Sequence, residues 1–252
     1  MENRVVLITQ ARVGSSRLPA KVLKKIKGKS ILQIQLERVS KCEAINEIIV
    51  AIPYGDQELP IHEICNKLNI NFSIGSENDV LDRFYNAALS SKADWVVRIT
   101  SDCPIVDPEL ISDIVCRVIT NNKDYGSNTL VETYPDGQDI EVFKFEALEK
   151  AWKNAILNSD REHVTPYMKK NCETNHKSLF TSLSIENKVD YSDIRMTVDE
   201  LNDFYAIELL ITKLGTNATW TDYTKYILNN QEKFNNQNIL RNEGYYRSLN
   251  ND

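Results

Sequence analysis

A chain of 252 residues with 42% hydrophobic and 26% charged side chains has the make-up of an ordinary globular protein, which excludes wholesale disorder, collagen and coiled coil. At that length roughly three quarters of the unfolded surface is buried on folding, enough for one large domain with no disulfide or zinc staple. The net charge of −6 argues against general nucleic-acid binding, so an anionic ligand has to be held by a local basic cluster.

From the amino terminus, apolar runs and amphipathic stretches alternate. Residues 4–9 (RVVLIT) read as a buried strand, and 31–42 as a helix with Leu32, Leu36 and Val39 on one face. A strand is expected over 47–52, a helix over 58–68 and a short strand over 71–74. A helix over 79–91, with Val80, Phe84 and Leu89 turned inward, precedes a strand over 94–100. Pro108 suits the first turn of a helix, where its missing N–H costs nothing, and that helix is expected to reach about residue 121. This order predicts βαβ units, an α/β fold whose mostly parallel sheet is covered on both faces.

The second half is less regular. Strands are expected over 127–133, 139–143, 178–185 and 195–198, and helices over 146–157, 161–171, 199–214 and 221–230. One domain over 1–252 is the simplest reading, with an inserted lobe at about 125–190 and an Asn-rich tail, 229–252, crossing the surface. No apolar run of about 18 residues occurs, so no membrane span is expected. The opening Met-Glu-Asn-Arg lacks a basic, cleavable leader, so the expected location is cytoplasmic. The five cysteines are odd in number with no CxxC pair, which suits reduced thiols. His62 and Cys65 have metal-ligand spacing, but without a second pair Cys65 reads as a buried thiol.

Ligands of open α/β sheets sit beyond the carboxyl ends of the strands, so the loops there carry the chemistry. Gln10–Leu23 (QARVGSSRLPAKVL) places Arg12, Arg17 and Lys21 around Gly14, Ser15 and Ser16. Small residues let successive N–H groups curl toward an anion, and guanidinium forks match phosphate oxygens. The loop is neither a Walker loop nor a GxGxxG. Asp102, just past the fourth strand, is a natural Mg²⁺ ligand, with a cap or turn role as the alternative. Asp107 precedes Pro108 and reads as an N-cap. Asp199 and Asp203 stand one helical turn apart at another junction and are equally an acidic helix start. Paired with Asp102, Asp199 suggests a two-carboxylate metal site facing the cationic loop. Asp139 and Glu141 share a strand face, and Arg161, Glu162 and His163 crowd one helix start, where His163 is otherwise a satisfied polar residue. Ser76, Asp79 and Arg83 form a smaller polar group or simply cap their helix.

The opening ITQARVGSSRLPAKVL resembles the amino-terminal motif of sugar-nucleotide cytidylyltransferases. RITSDCPIVDP, DGQDIEVF, REHVTPY, RMTVDELND and NILRNEGYYRSL look like the spore coat polysaccharide biosynthesis protein F (SpsF) branch, in order over roughly residues 3–249. Acylneuraminate and 3-deoxy-manno-octulosonate cytidylyltransferases are more distantly similar. The resemblance implies a three-layer α/β/α, Rossmann-like, glycosyltransferase-A-like nucleotidyltransferase fold with a mixed sheet. It also implies CTP under the first loop, Mg²⁺ as cofactor, and a homodimer with the lobe as a candidate interface. Carried over by position, Arg12, Arg17 and Lys21 match the triphosphate cations, with Gly14, Ser15, Ser16, Ser76, Asp79 and Arg83 beside the nucleotide. The backbone of Ala11 and Arg12 falls near the base, and Asp102 and Asp199 match the metal ligands. Arg12, Lys21 and Asp102 are the expected catalytic residues, and Asp139, Glu141, Arg161 and His163 fall at the acceptor pocket. The implied reaction is attack of an acceptor oxygen on the α-phosphorus of CTP, expelling pyrophosphate, the acceptor being a sugar acid or a phosphorylated compound. Two alternatives stand beside it: a glycosyltransferase of the same fold, although Asp102-Cys-Pro is not a DxD motif, and a non-catalytic nucleotide-binding protein.

Overall fold

The runs of β-branched residues become the strands of one sheet, and the amphipathic stretches between them become its covering helices. The computed structural model describes residues 3–15 and 17–252, so Ser16 lies outside the described residues. In chain order the elements are β1 (Val5–Gln10), β2 (Lys25–Ile26), β3 (Lys29–Ser30), α1 (Ile31–Val39), β4 (Glu47–Pro53), α2 (Leu59–Leu68), β5 (Asn71–Gly75), α3 (Val80–Ser90), β6 (Trp95–Thr100) and α4 (Pro108–Thr120). There follow β7 (Tyr125–Ser127), β8 (Glu141–Lys144), α5 (Phe145–Asn154), α6 (Asn158–His163), α7 (Pro166–Lys170), β9 (Ser182–Ser184), α8 (Leu201–Leu214), α9 (Trp220–Leu228) and α10 (Glu243–Ser248).

Seven strands pair in the order β5-β4-β1-β6-β8-β7-β9, and only β8 runs against the rest. Alternate residues of β1 face opposite ways. Val6 and Ile8 pack with Val96 under α3 and α5, against Phe84 and Leu148. Val5 and Leu7 pack with Val97 and Ile99 under α4. On that second face α1 and α2 cover Val50 and Ile52 of β4. The result is three layers, helix on sheet on helix, with a further cluster joining α8 and α9 to Ile26, Ile31 and Ile105.

Strand order reverses at β1, since β4 and β5 lie on one side of it and β6 on the other. The loops leaving β1 and β6 therefore flank a crevice at a topological switch point. Antiparallel β8 brings its amino end to the same edge, which is how a residue from 139–141 reaches that crevice. The stretch 125–190 supplies β7, β8 and β9 to this same sheet.

Several expected elements are shorter than their sequence patterns, each for a local reason. The strand expected over 127–133 ends at Ser127, because the buried Asn128 side chain takes the place of a strand neighbour: Nδ2 donates to the Gln138 carbonyl at 2.7 Å and Oδ1 accepts from the Ile140 N–H at 2.9 Å. The helix expected over 161–171 is split into α6 and α7, since Val164 adopts φ 72° and Pro166 can only begin a new turn. Residues 195–198 make one bridge, Asp136 to Arg195, instead of a strand. The tail 229–252 does more than cross the surface: it forms α10 and packs on α6. Cys65 is fully buried, its thiol pushed up to about 12 by burial, and His62 stacks on Phe72 at 4.6 Å. Among the described residues no helix is long and apolar enough to cross a membrane.

Candidate active site

The loop after β1 is anchored through its backbone N–H groups where it leaves the strand. The Ala11 N–H donates to the Ala51 carbonyl at 3.1 Å, and the Val13 N–H donates to Glu58 at 2.8 Å. Further on, Ala20 takes a left-handed conformation (φ 51°), and Lys21 begins a tight turn whose N–H reaches the Leu18 carbonyl at 3.1 Å. A non-glycine residue in that region carries about 1–3 kcal/mol of strain, a cost tolerated mainly where the turn places something. Here it places Lys21.

Across the crevice, the Asp102 carbonyl accepts from the Val198 N–H at 2.8 Å, tying the loop after β6 to the segment before α8. That one bond brings Asp102 and Asp199 to face each other, though they are far apart in sequence. Lys21 Nζ lies between them, donating to Asp102 Oδ2 at 3.0 Å and Asp199 Oδ1 at 2.9 Å. Burial alone would lower the Lys21 pKa, but Asp102 and Asp199 outweigh it and raise it. Burial would likewise raise the Asp102 pKa, and Lys21 together with the Thr100 hydroxyl holds it down to about 2. Both groups are therefore charged at neutral pH. Arg17 adds a second cation, donating to Asp199 Oδ1 at 2.7 Å and to Glu243 at 3.4 Å.

Beneath them Arg195, with only 4% of its side chain exposed, ties three carboxylates: Asp136 at 2.5 Å, Asp203 at 2.8 Å and Asp199 at 3.1 Å. Asp203 also accepts the N–H groups of Asp199 and Glu200 at 2.9 and 3.0 Å, so the start of α8 is locked. The Asp203 carboxylate is thus structural, and Asp199 is the member that faces Lys21.

A cavity of about 450 Å³ opens beside this group, lined among others by Arg17, Arg98, Asp102, Asp139, His163 and Tyr245. Arg98 and Glu141 lie opposite each other across β6 and β8 and form an ion pair, and Tyr125 donates to Glu141 at 2.6 Å. Burial would raise the Glu141 pKa, but Arg98 and Tyr125 lower it. Asp136 is pushed up to about 7 by burial and by Asp139, against Arg241 and Arg195. Burial also raises Asp139, against Arg241, which donates to it at 2.5 Å. Burial and then Arg98 push His163 down to about 4, and its Nε2 is buried without a hydrogen-bond partner. Lys169 donates to the Thr129 carbonyl at 2.6 Å and faces the same cavity.

The structure thus brings Arg17, Lys21, Asp102 and Asp199 together, with Asp139, Glu141 and His163 on the adjoining wall. Another group is gathered on the flank next to β5. Exposed Arg12 pairs with Glu77 at 3.2 Å, and Gly14 lies against Glu77. Buried Arg83 donates to the carbonyls of Ser76 and Glu77, while Ser76 and Asp79 order the start of α3. Arg161 is held by Asp79 at 2.7 Å and by the carbonyls of Trp152 and Ala155, away from the cavity wall. Ser15 is partly buried in the loop between the two groups. Sequence reasoning assigned no role to Arg98, Lys169, Arg195 or Arg241. The first and third had a signal, a charge inside a buried strand-like run, whereas Lys169 and Arg241 had none.

The cytidylyltransferase family model matches residues 6–245. An uncharacterized protein of Methanocaldococcus jannaschii is 43% identical over 203 residues, 80% of each chain. The spore coat polysaccharide biosynthesis protein SpsF of Bacillus subtilis is 29% identical over 220 residues, covering 84% of this chain and 88% of its own. Among solved structures, a cytidylyltransferase from Leptospira borgpetersenii superposes with a TM-score of 0.88 at 29% identity, over 95% of this chain and 100% of that one.

Proposed function

The chain belongs to the cytidylyltransferase family, an enzyme of the Rossmann-like nucleotidyltransferase fold, and from that premise we propose that it transfers CMP from CTP to an anionic sugar and releases pyrophosphate. The observation that carries this reading is the set of Arg17 and Lys21 held against Asp102 and Asp199 in the crevice between β1 and β6. A triphosphate entering there competes for cations already in place, so little reorganisation is needed.

In this reading Arg12, Arg17 and Lys21 exchange carboxylate partners for β- and γ-phosphate oxygens and neutralise the leaving pyrophosphate. The backbone at Ala11 and Arg12, flanked by the bonds from Ala11 to Ala51 and from Val13 to Glu58, lines the base, with the polar group around Ser76 and Arg83 beside the nucleoside. The acceptor oxygen attacks the α-phosphorus as the bond to the β-phosphate breaks. In-line placement and charge neutralisation dominate such a step.

The residues present also fit Mg²⁺. Asp102 and Asp199 already offer hard oxygens to one shared positive charge, the Lys21 ammonium, and Mg²⁺ commonly takes one or two carboxylates plus phosphate oxygens and water. Bound there, the ion would act as a Lewis acid on the phosphates. For the acceptor's acid group we assign Lys169, which faces the cavity, whereas Arg161 is engaged with Asp79.

Thermal unfolding with CTP, UTP, GTP and ATP, with and without Mg²⁺, tests this. Ligand at a hundredfold over Kd stabilises by about 2.7 kcal/mol. A Mg²⁺-dependent shift with CTP alone is expected, followed by pyrophosphate release with sugar acids that Lys169→Ala weakens. A shift with uridine nucleotides and none with CTP overturns the proposal.

A further inference from the structure

The tail beyond residue 240 is fastened over the cavity at three points. At the near end, Arg241 donates to Asp139 at 2.5 Å and to the Tyr134 carbonyl at 3.2 Å, and Asn242 donates to Glu132 at 3.0 Å. In the middle, Glu243 accepts from Arg17 at 3.4 Å, and Tyr245 stands edge-on to His163, ring centres 5.3 Å apart. At the far end, Asp252 accepts from the Ser159 N–H at 2.7 Å and from its hydroxyl at 2.5 Å. Residues 242–246 thereby form the outer wall of the cavity that holds Asp139, Glu141 and His163.

The middle fastening differs from the others because its partner is a residue of the cationic loop. Arg17 is shared unequally, at 2.7 Å from Asp199 and 3.4 Å from Glu243. A triphosphate on Arg17 would take that guanidinium and set its own negative charge beside the Glu243 carboxylate. Like charges at that spacing repel. Glu243 then loses its one contact with the cationic loop, keeps only Arg247 of its own helix at 2.5 Å, and meets an anion, while Arg241 and Asp252 stay engaged with groups outside the nucleotide crevice.

We propose that residues 242–252 are a gate over the acceptor half of the cavity, latched by the Arg17–Glu243 pair and released when the nucleoside triphosphate binds. The inference rests on the nucleotide reading above and adds to it that the acceptor enters its half of the cavity past the loosened tail. It also makes Tyr245 and Tyr246 part of the acceptor's surroundings, so the tail contributes to which acceptors fit.

Hydrogen exchange of the full-length protein, free and with CTP plus Mg²⁺, tests the gate, with thermal unfolding recorded on the same samples. A part-exposed ion pair holds a segment by a factor of up to about five, so CTP should speed exchange of the amides of 243–252 about fivefold. Glu243→Gln, which breaks the latch and the Arg247 pair inside α10 but leaves the cationic loop intact, should show that faster exchange without nucleotide and gain less than twofold from CTP, whereas Arg247→Gln, which breaks only the pair inside α10, should still gain about fivefold. If CTP raises the melting temperature while tail exchange stays the same or slows, the gate is wrong and the nucleotide reading stands. Wild-type tail exchange in Glu243→Gln also overturns the gate. No thermal shift with CTP overturns both.

Discussion

Replacing Lys21 by Met removes the one ammonium that Asp102 and Asp199 share. The two carboxylates do not lose equally. Asp199 keeps Arg17 at 2.7 Å and Arg195 at 3.1 Å, whereas Lys21 is the only ion-pair partner recorded for Asp102 among the described residues. Burial opposes the Asp102 charge, yet with Lys21 present its pKa falls from 3.8 to about 2. That difference corresponds to about 2 kcal/mol of folding stability, since each pKa unit is about 1.4 kcal/mol. The sign follows from the depressed folded-state pKa: the contribution is complete above pH 3.8 and lost as pH falls toward 2. In Lys21→Met burial dominates, Asp102 prefers its proton, and the deficit relative to wild type shrinks as pH is lowered. Urea unfolding at pH 7.5 should therefore show Lys21→Met less stable by about 2–3 kcal/mol. Asp102→Asn in the same chain should restore most of that, with a coupling energy of about 2 kcal/mol in the double-mutant cycle. Turnover should fall by about 10²–10³ while the circular dichroism spectrum is retained. Additive single and double mutants at pH 7.5, or wild-type turnover, would refute the reasoning.

Two other sites give predictions of their own. His163 is pushed down to about 4 by burial and Arg98, so protonating it in the folded state costs about 3 kcal/mol. The native state then binds fewer protons than the unfolded chain, and stability declines as pH drops from 6.5 to 4; His163→Phe should flatten that decline, and an unchanged pH slope speaks against it. Arg98→Met leaves the buried Glu141 carboxylate without its cation and should cost about 3–5 kcal/mol in denaturant unfolding. Adding Glu141→Gln, which preserves an acceptor for the Tyr125 hydroxyl, should recover at least half; no recovery means that the pair is not what Arg98 contributes.

The order of β1 to α4 was legible because each element there is specified by short-range periodicity. β1, β4 and β6 are buried on both faces and read as apolar runs, and Asp107 before Pro108 marks the start of α4, where its carboxylate accepts the Glu109 N–H at 2.9 Å. The second half resisted reading wherever a side chain replaced a backbone partner, as Asn128 does, or where one residue took a conformation its type disfavours, as Val164 does. Neither substitution leaves a periodic trace.

The candidate site divides the same way. That cations follow β1 and that a carboxylate follows β6 is written in the chain, because a loop's composition and its place at a strand end are local properties. That Lys21 stands between Asp102 and Asp199 is not, since it depends on the bond from Val198 to the Asp102 carbonyl, a contact between segments nearly a hundred residues apart. The same holds for Arg161, which pairs with Asp79, and for Arg241 and Glu243, which reach the cavity only because the tail folds back across it. Local sequence determined which elements form and which charges they carry; tertiary packing decided which charge neutralises which, because ion pairing depends on distance in space, and the chain encodes only distance along itself.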